Sequence, residues 1–379
     1  MKLPLPPLLA PLLLLLWACR PAPRTGLEFP TTFPDKLSEW HIVERRSDAL
    51  QPNTGVLAYD LNSPLFSDYA HKLRTVLVPK GTAIRFGDDD FDFPVGTVIS
   101  KTFYYPRAHS VGSNEKAGVI VVRKILQQSQ GETLPLRDVR LIETRLLVNT
   151  ATGWVALPYV WNEAQSDATL ELTGAVLPME LVSEAGRTAF NYLVPDTNQC
   201  VDCHAIDSHQ QAIRPIGVRA RHLDKDYAYD RGRQNQLVHW SDVGLLAGAP
   251  AQDNVVRNAQ WDVPSSGDVA ARARAYLDVN CGHCHSERGA ANTSGLLLNA
   301  HETDTARLGF CKIPVATGRG SGTALFDIVP GAPDESILVH RMESTEADVA
   351  MPELGRSLVH AEGVALIREW IASLSRGCS

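Results

Sequence analysis

The chain has 379 residues, 44% of them hydrophobic and 21% charged, a globular composition that does not suggest disorder. Its formal net charge of −7 is mild and argues against nucleic acid as a partner, which would normally need a basic face. The length allows two or three domains, and no run of like charge is long enough to act as an interaction tail.

The first element is an export signal. Met1-Lys2 is a minimal charged start, and Leu8 to Trp17 is almost wholly apolar. That stretch is too short to span a bilayer and suits the core of a signal peptide. Leu16-Trp17-Ala18-Cys19 is similar to a bacterial lipoprotein cleavage site, with Cys19 as the lipidated first residue. Ordinary cleavage that discards Cys19 is the alternative. Both predict an exported protein, periplasmic or at the cell surface, and lipidation adds a membrane anchor. No other segment is long and apolar enough to cross a membrane.

After a linker (20–35), residues 36–195 contain no cysteine and read as β structure. Thr97 to Tyr105 is rich in β-branched and aromatic residues. Gly118 to Leu126, Arg140 to Val148, Trp154 to Trp161 and Ala168 to Val176 follow, separated by turn-forming residues. Short strands at this spacing predict a sandwich-like domain. Residues 196–263 are polar and loop-rich, with one helix expected near Asn235 to Leu246. Over 264–379, Asp268 to Asn280 shows helical spacing, and Val364, Ile367, Trp370, Ile371 and Leu374 give a closing helix an apolar stripe. The expected fold is therefore α+β and multidomain: a β-sandwich-like N-terminal domain, a loop-rich segment, and an α-helical class I cytochrome c domain.

That last expectation rests on the cysteines. Of the seven, Cys19 belongs to the signal, while Cys200-Val201-Asp202-Cys203-His204 and Cys281-Gly282-His283-Cys284-His285 are two complete C-x-x-C-H motifs. Such a motif attaches a c-type haem: two thiols take the vinyl groups along one porphyrin edge, and the next histidine reaches the iron. A thioredoxin-like redox pair would need a βαβ context that neither copy has. One zinc site built from both pairs would not require a histidine after each. Two haems are expected, with Cys200, Cys203, Cys281 and Cys284 as attachment points and His204 and His285 as iron ligands. The remaining cysteines, Cys311 and Cys378, form an even remainder that predicts a disulfide in an oxidising compartment.

Each iron has a second side. Met351-Pro352 stands in an irregular segment 66 residues after His285, as a distal ligand requires. Met342 is the competitor, with core packing as its other explanation. For the first haem, His209, His222 and His239 follow the motif and Met179 precedes it. His239, on the expected helix, is the preferred ligand, and an open five-coordinate iron is the alternative.

Several stretches together resemble a family of bacterial dihaem c-type cytochromes, often found with a parallel β-helix repeat protein. They are Tyr59 to Asp68, Phe93 to Thr97, Ile142 to Leu147, Trp161-Asn162-Glu163 with Gln165, both haem motifs, Gly318 to Gly322, and Met351 to Ser357. The resemblance covers nearly the whole chain after the signal and implies a dihaem architecture with a β-rich leader, but no substrate. His283, inside the second motif, occupies a variable spacer position. A looser likeness to cytochrome regions associated with sugar dehydrogenases hints at an oxidoreductase as electron donor.

Electron transfer between a periplasmic dehydrogenase and an acceptor is the leading expectation. A dihaem peroxidase or oxidase with an open first haem is the runner-up. A carbohydrate- or surface-binding β domain with redox output is the third, and would need Tyr104, Tyr105, Tyr159 and Trp161 as an exposed platform.

Overall fold

The computed structural model describes residues 32–87, 90–107, 119–121, 133–183, 186–207, 210–230, 232–375 and 377–378. The signal, Cys19 and His209 lie outside these described residues, as does most of the linker.

In chain order the strands are β1 (Val43–Arg46), β2 (Ala49–Pro52), β3 (Leu57–Tyr59), β4 (His71–Leu77), β5 (Ile84–Phe86), β6 (Phe91–Asp92), β7 (Val98–Pro106), β8 (Val119–Val121), β9 (Leu134–Pro135), β10 (Val139–Thr150), β11 (Gly153–Trp161), β12 (Ala168–Leu170), β13 (Ala175–Ser183) and β14 (Gly186–Val194). Helix α1 (Thr197–His204), hairpin β15 (Ala205–Asp207) with β16 (Gln210–Ile213), and α2 (Ala220–Leu223) follow. Hairpin β17 (Asp226–Tyr229) with β18 (Gly232–Asn235), α3 (Gln236–Asp242) and β19 (Leu246–Ala247) come next. Helices α4 (Val269–Asn280), α5 (Ile337–Glu343) and α6 (Ala361–Ser373) complete the set.

The centre is a six-stranded antiparallel sheet in the order β12-β11-β10-β7-β4-β3. Side chains alternate between its faces. One face presents Leu73, Val98, Tyr104, Leu146, Val148, Leu157 and Tyr159 to a core closed by Leu37, Trp40, Ile42 and Leu134. The other face is covered too. Tyr59, Val76, Ile99 and Leu147 pack there against Ile213, Val218, Leu223, Leu237 and Trp240 from the segment after the first motif. Each large side chain fully buried in such a cluster contributes about 1.5–3 kcal/mol.

Two expectations are corrected here. The β region is no simple sandwich, because loops, hairpins and short helices rather than a second large sheet cover the inner face of the main sheet. Nor does the chain end in an α-helical class I cytochrome c domain. The protein is mostly β, with six α-helices among the described residues and 23% helix. Helical periodicity over 268–280 and 364–374 does mark α4 and α6. The long stretch between Cys281 and Ser336 contains turns, isolated bridges and 3-10 turns only, so helix does not accumulate into a domain. The α4, α5 and α6 residues still share one apolar core, with Tyr276, Leu277, Leu338, Val339, Ile367 and Trp370 at its centre.

The segment Asp60–Asp68 stitches the parts together. Asn62 Nδ2 donates to the carbonyls of Arg221 and Asp224, both at 3.1 Å. Ser63 Oγ donates to Ala259 O, and the Phe66 amide donates to Asn280 Oδ1 at 2.8 Å. Asp68 Oδ1 accepts from the amides of Ser357 and Leu358, both at 2.7 Å. This short run thereby touches the segments around both motifs and the strand of chain that carries Met351.

Candidate functional site

The first motif forms the helix that leaves β14. Asp196 caps α1 by accepting from the Gln199 amide at 2.8 Å, while Gln199 Oε1 accepts from the Asp196 amide at 3.1 Å. This reciprocal pair satisfies two helix-end donors. One helical turn then sets Cys200, Cys203 and His204 on the last turn of α1. The β15–β16 hairpin returns the chain to the motif: the Arg214 amide donates to His204 O at 2.9 Å, and His204 Nδ1 meets Arg214 O at 2.7 Å. With Nδ1 held on a carbonyl as a donor, Nε2 carries the free lone pair. Burial, assisted by nearby Lys101, pushes the His204 ring down to about 3, so it is neutral and able to ligate at ordinary pH.

The second motif repeats that arrangement on a different local scaffold. Asp268 caps α4 by accepting from the Ala271 amide at 2.7 Å, and the helix runs directly into Cys281. A tight turn follows, with the His285 amide donating to Cys281 O at 2.8 Å. A side chain at Gly282 would press on Asp278 O and on the Asn299 backbone. Gly289 lies against the carbonyls of Cys284 and His283, where a Cβ has no room. His285 Nδ1 sits 3.2 Å from Leu296 O, and the Leu298 amide donates to His285 O at 2.8 Å. Burial pushes this imidazole down to about 4. Both motif histidines are thus locked by a carbonyl that follows about ten residues later, leaving Nε2 for a metal.

The motifs are neighbours in space. The Cys203 and Cys284 thiols lie close enough to act on each other, which holds Cys203 below the ordinary thiol range and pushes Cys284 above it. His283 also reaches Cys203, although its Nδ1 is buried with no hydrogen-bond partner. A buried ion pair joins the supporting helices: Arg221 of α2 chelates Asp278 of α4, and His222 Nε2 lies 3.0 Å from the same carboxylate. His222 is thereby committed to Asp278. A cleft of about 470 Å³ runs beside both motifs, walled by Arg214 to Gly217 on one side and by Gly282, His283 and Ser286 on the other.

The chain before α6 lies against the second motif. The Met351 amide donates to Arg341 O at 3.0 Å, and Arg356 Nη2 donates to Met351 O at 2.9 Å. Glu353 is within electrostatic reach of Cys284, Arg356 of Cys281, and Arg341 of His285. Met351 is half-buried, whereas Met342 is a core residue of α5 and Met179 a core residue of β13. His239 of α3 stacks on Tyr229 with ring centroids 3.7 Å apart, and its Nδ1 meets Gln234 Oε1 at 2.9 Å. These contacts hold it against the β17–β18 hairpin. Cys311 and Cys378 are disulfide-bonded. Tyr104, Tyr105 and Tyr159 are buried, and Trp161 is partly buried with Nε1 on Thr144, so they form no exposed platform.

The donor set fits haem attachment. All four motif cysteines are free thiols, each histidine offers Nε2, and glycines relieve crowding where the second motif turns. Among the described residues no group of three or more His, Cys, Asp or Glu side chains is gathered as a site for a bare metal ion. No protein-family model, no curated protein and no solved structure matches the chain.

Sequence reasoning missed the charged residues that surround the first motif. Lys72, Arg74, Lys101 and Arg145 share one face of the sheet, and Arg221 pairs with Asp278 across two segments. An isolated lysine or arginine in a strand gives no such signal.

Proposed function

We propose that the chain is an exported dihaem c-type cytochrome that passes single electrons between a periplasmic oxidoreductase and an acceptor. The observation that carries this reading is the matched pair of motif histidines, each with Nδ1 on a backbone carbonyl and Nε2 free beside two free thiols. A c-type haem at each motif supplies a reversible one-electron couple when bound. The protein's part is to fix the two attachment points, exclude water and set the iron ligands. His204 and His285 are held neutral and oriented. Met351 is the distal candidate at the second motif and His239 at the first. Cys203 and Cys284, neighbours across the two motifs, would attach the two groups close to each other. Export, with a lipid anchor at Cys19, gives the compartment in which such haems are attached. Among the described residues no helix is long and apolar enough to cross a membrane.

The test is a reduced-minus-oxidised spectrum combined with intact mass on protein made in a host that attaches c-type haem. Two haems per chain are expected, falling to one in Cys200→Ala/Cys203→Ala and to one in Cys281→Ala/Cys284→Ala. A chain that carries none under those conditions sinks the proposal. A high-spin ferric signal lost with the first motif, together with peroxide turnover, would move the reading to a peroxidase.

A further inference from the structure

The inner face of the six-stranded sheet carries a row of cations that the fold alone does not explain. Arg74 of β4, Lys101 of β7 and Arg145 of β10 are direct cross-strand partners on three adjacent strands. Like charges placed opposite one another destabilise a sheet. Lys72, two residues before Arg74 on the same face, extends the cluster. All four line a cavity of about 40 Å³ whose far wall is Pro215 to Val218, behind the first motif.

Only part of this charge is answered. Arg74 donates to Asp60 at 2.8 Å, and Asp60 is shared with Lys225 at 2.8 Å. Arg145 chelates Glu143, with contacts at 2.8 and 2.5 Å, and Glu143 also accepts from Tyr192 Oη. The Phe103 ring takes Lys72 at 5.5 Å and Arg145 at 4.5 Å from its centroid. Lys72 Nζ donates only to the carbonyls of Leu65 and Ala70. Among the described residues Lys101 Nζ makes no hydrogen bond; burial followed by Arg145 and Arg74 pushes it down to about 8, against the opposing pull of Cys200 and Glu143. The Lys101 side chain is half-buried with like charges directly opposite it on both neighbouring strands, a repulsion that an added anion would relieve. Such a site is arranged for an anion brought by something else.

The first motif brings one. Cys200 lies within electrostatic reach of both Lys101 and Arg145. A porphyrin joined through Cys200 and Cys203 carries two propionate carboxylates on its periphery. We propose that Lys101, flanked by Lys72, Arg74 and Arg145, forms the anion site for the propionates of the haem at the first motif. The inference rests on the two-haem reading above. The cavity has room for carboxylate groups with a water, not for a porphyrin ring, so it receives only the acidic edge. A cation there would favour the less positive, reduced iron and raise its potential.

The experiment uses the haem-loaded full chain. Lys101→Met is expected to lower the reduction potential of the first haem and leave the second unchanged, and Lys101→Arg to restore it. Haem content by mass and thermal melting are read on the same samples. An unmoved first-haem potential in fully loaded Lys101→Met overturns the site. A wild-type spectrum that shifts with added inorganic phosphate, but not in Lys101→Met, overturns it too, because the row would then serve a diffusible anion. Should Lys101→Met fail to load or fold, the propionate bending band of the wild type decides. Hydrogen-bonded propionates at the first haem support the site, and solvent-exposed ones reject it. Absence of haem at Cys200/Cys203 in the wild type is a separate outcome, which removes the underlying reading as well.

Discussion

Arg221 and Asp278 form a bidentate buried pair, Nε to Oδ2 at 2.8 Å and Nη2 to Oδ1 at 3.0 Å, that ties the segment behind the first motif to the helix entering the second. Asp278 stands three residues before Cys281, and it also accepts from Asn258 at 3.1 Å and from the Ala300 amide at 2.9 Å. The pair therefore sets how the two motifs face each other.

Removing one partner leaves an uncompensated buried charge, which costs about 3–5 kcal/mol. Arg221→Met and Asp278→Leu are each expected to lower the unfolding free energy by that order. The double variant Arg221→Met/Asp278→Leu should recover much of the loss, since neither charge is then left alone. Denaturant unfolding of the four proteins measures the coupling. Additive losses would show that the pair is not what joins the segments.

Acid should destabilise the fold well before carboxylates titrate. Burial pushes His360 down to about 3 and His71 to about 4, and it also lowers His222. Each unfolded imidazole binds a proton near pH 6.5 that the folded one refuses, so stability is full above that pH and declines as pH falls toward the folded values. The slope is at most about 1.4 kcal/mol per pH unit for each histidine. Asp278 acts further down: its pKa is lowered by the His222 and Arg221 contacts despite burial, and its contribution persists until pH drops through that lowered value. His360 stacks on Phe66 at 4.2 Å and hydrogen-bonds Tyr276 at 3.0 Å. His360→Phe keeps the stack and should flatten the melting-temperature profile between pH 6.5 and 4. An unchanged profile would show that His360 is not a major contributor.

Local pattern was a good guide to elements and a poor one to their assembly. The β-branched run at Thr97 to Tyr105 became β7, and the run from Arg140 became β10. The helix expected over Asp268 to Asn280 is α4, with Asp268 as its cap. The segment Ala168 to Val176 instead splits into the short β12 and the start of β13, because Thr173-Gly174 turns the chain. The helical final domain failed as an expectation because two amphipathic helices say nothing about the long irregular stretch between them. The cation row was invisible for a different reason. Lys72, Lys101 and Arg145 lie on strands far apart in sequence, and only the register of β4, β7 and β10 brings them together.

The disulfide should matter more for stability than for the site. Cys311 and Cys378 are 67 residues apart, and closing a loop of that length in the unfolded chain is worth roughly 4 kcal/mol by chain entropy. Cys311→Ser/Cys378→Ser is expected to melt at lower temperature while retaining both haem attachment points. Loss of the second haem in that variant would instead show that the bond positions the motif.

Met351 gives the sharpest single test of the second centre. Its carbonyl is held by Arg356, which also donates to Arg341 O and Ser344 O, and its amide is held by the Arg341 carbonyl, so the backbone around it is fixed from both sides. Arg356 in turn neighbours Cys281, and Glu353 neighbours Cys284. A thioether on a backbone anchored this way can serve as a soft ligand opposite His285, and methionine ligation raises a haem potential. Met351→Ala should abolish the near-infrared sulfur-to-iron band and lower the potential of the second haem, while Met342→Leu, a change within the apolar core, leaves both in place. Persistence of the band in Met351→Ala would exclude Met351 as the ligand, and its loss in Met342→Leu would transfer that role to α5.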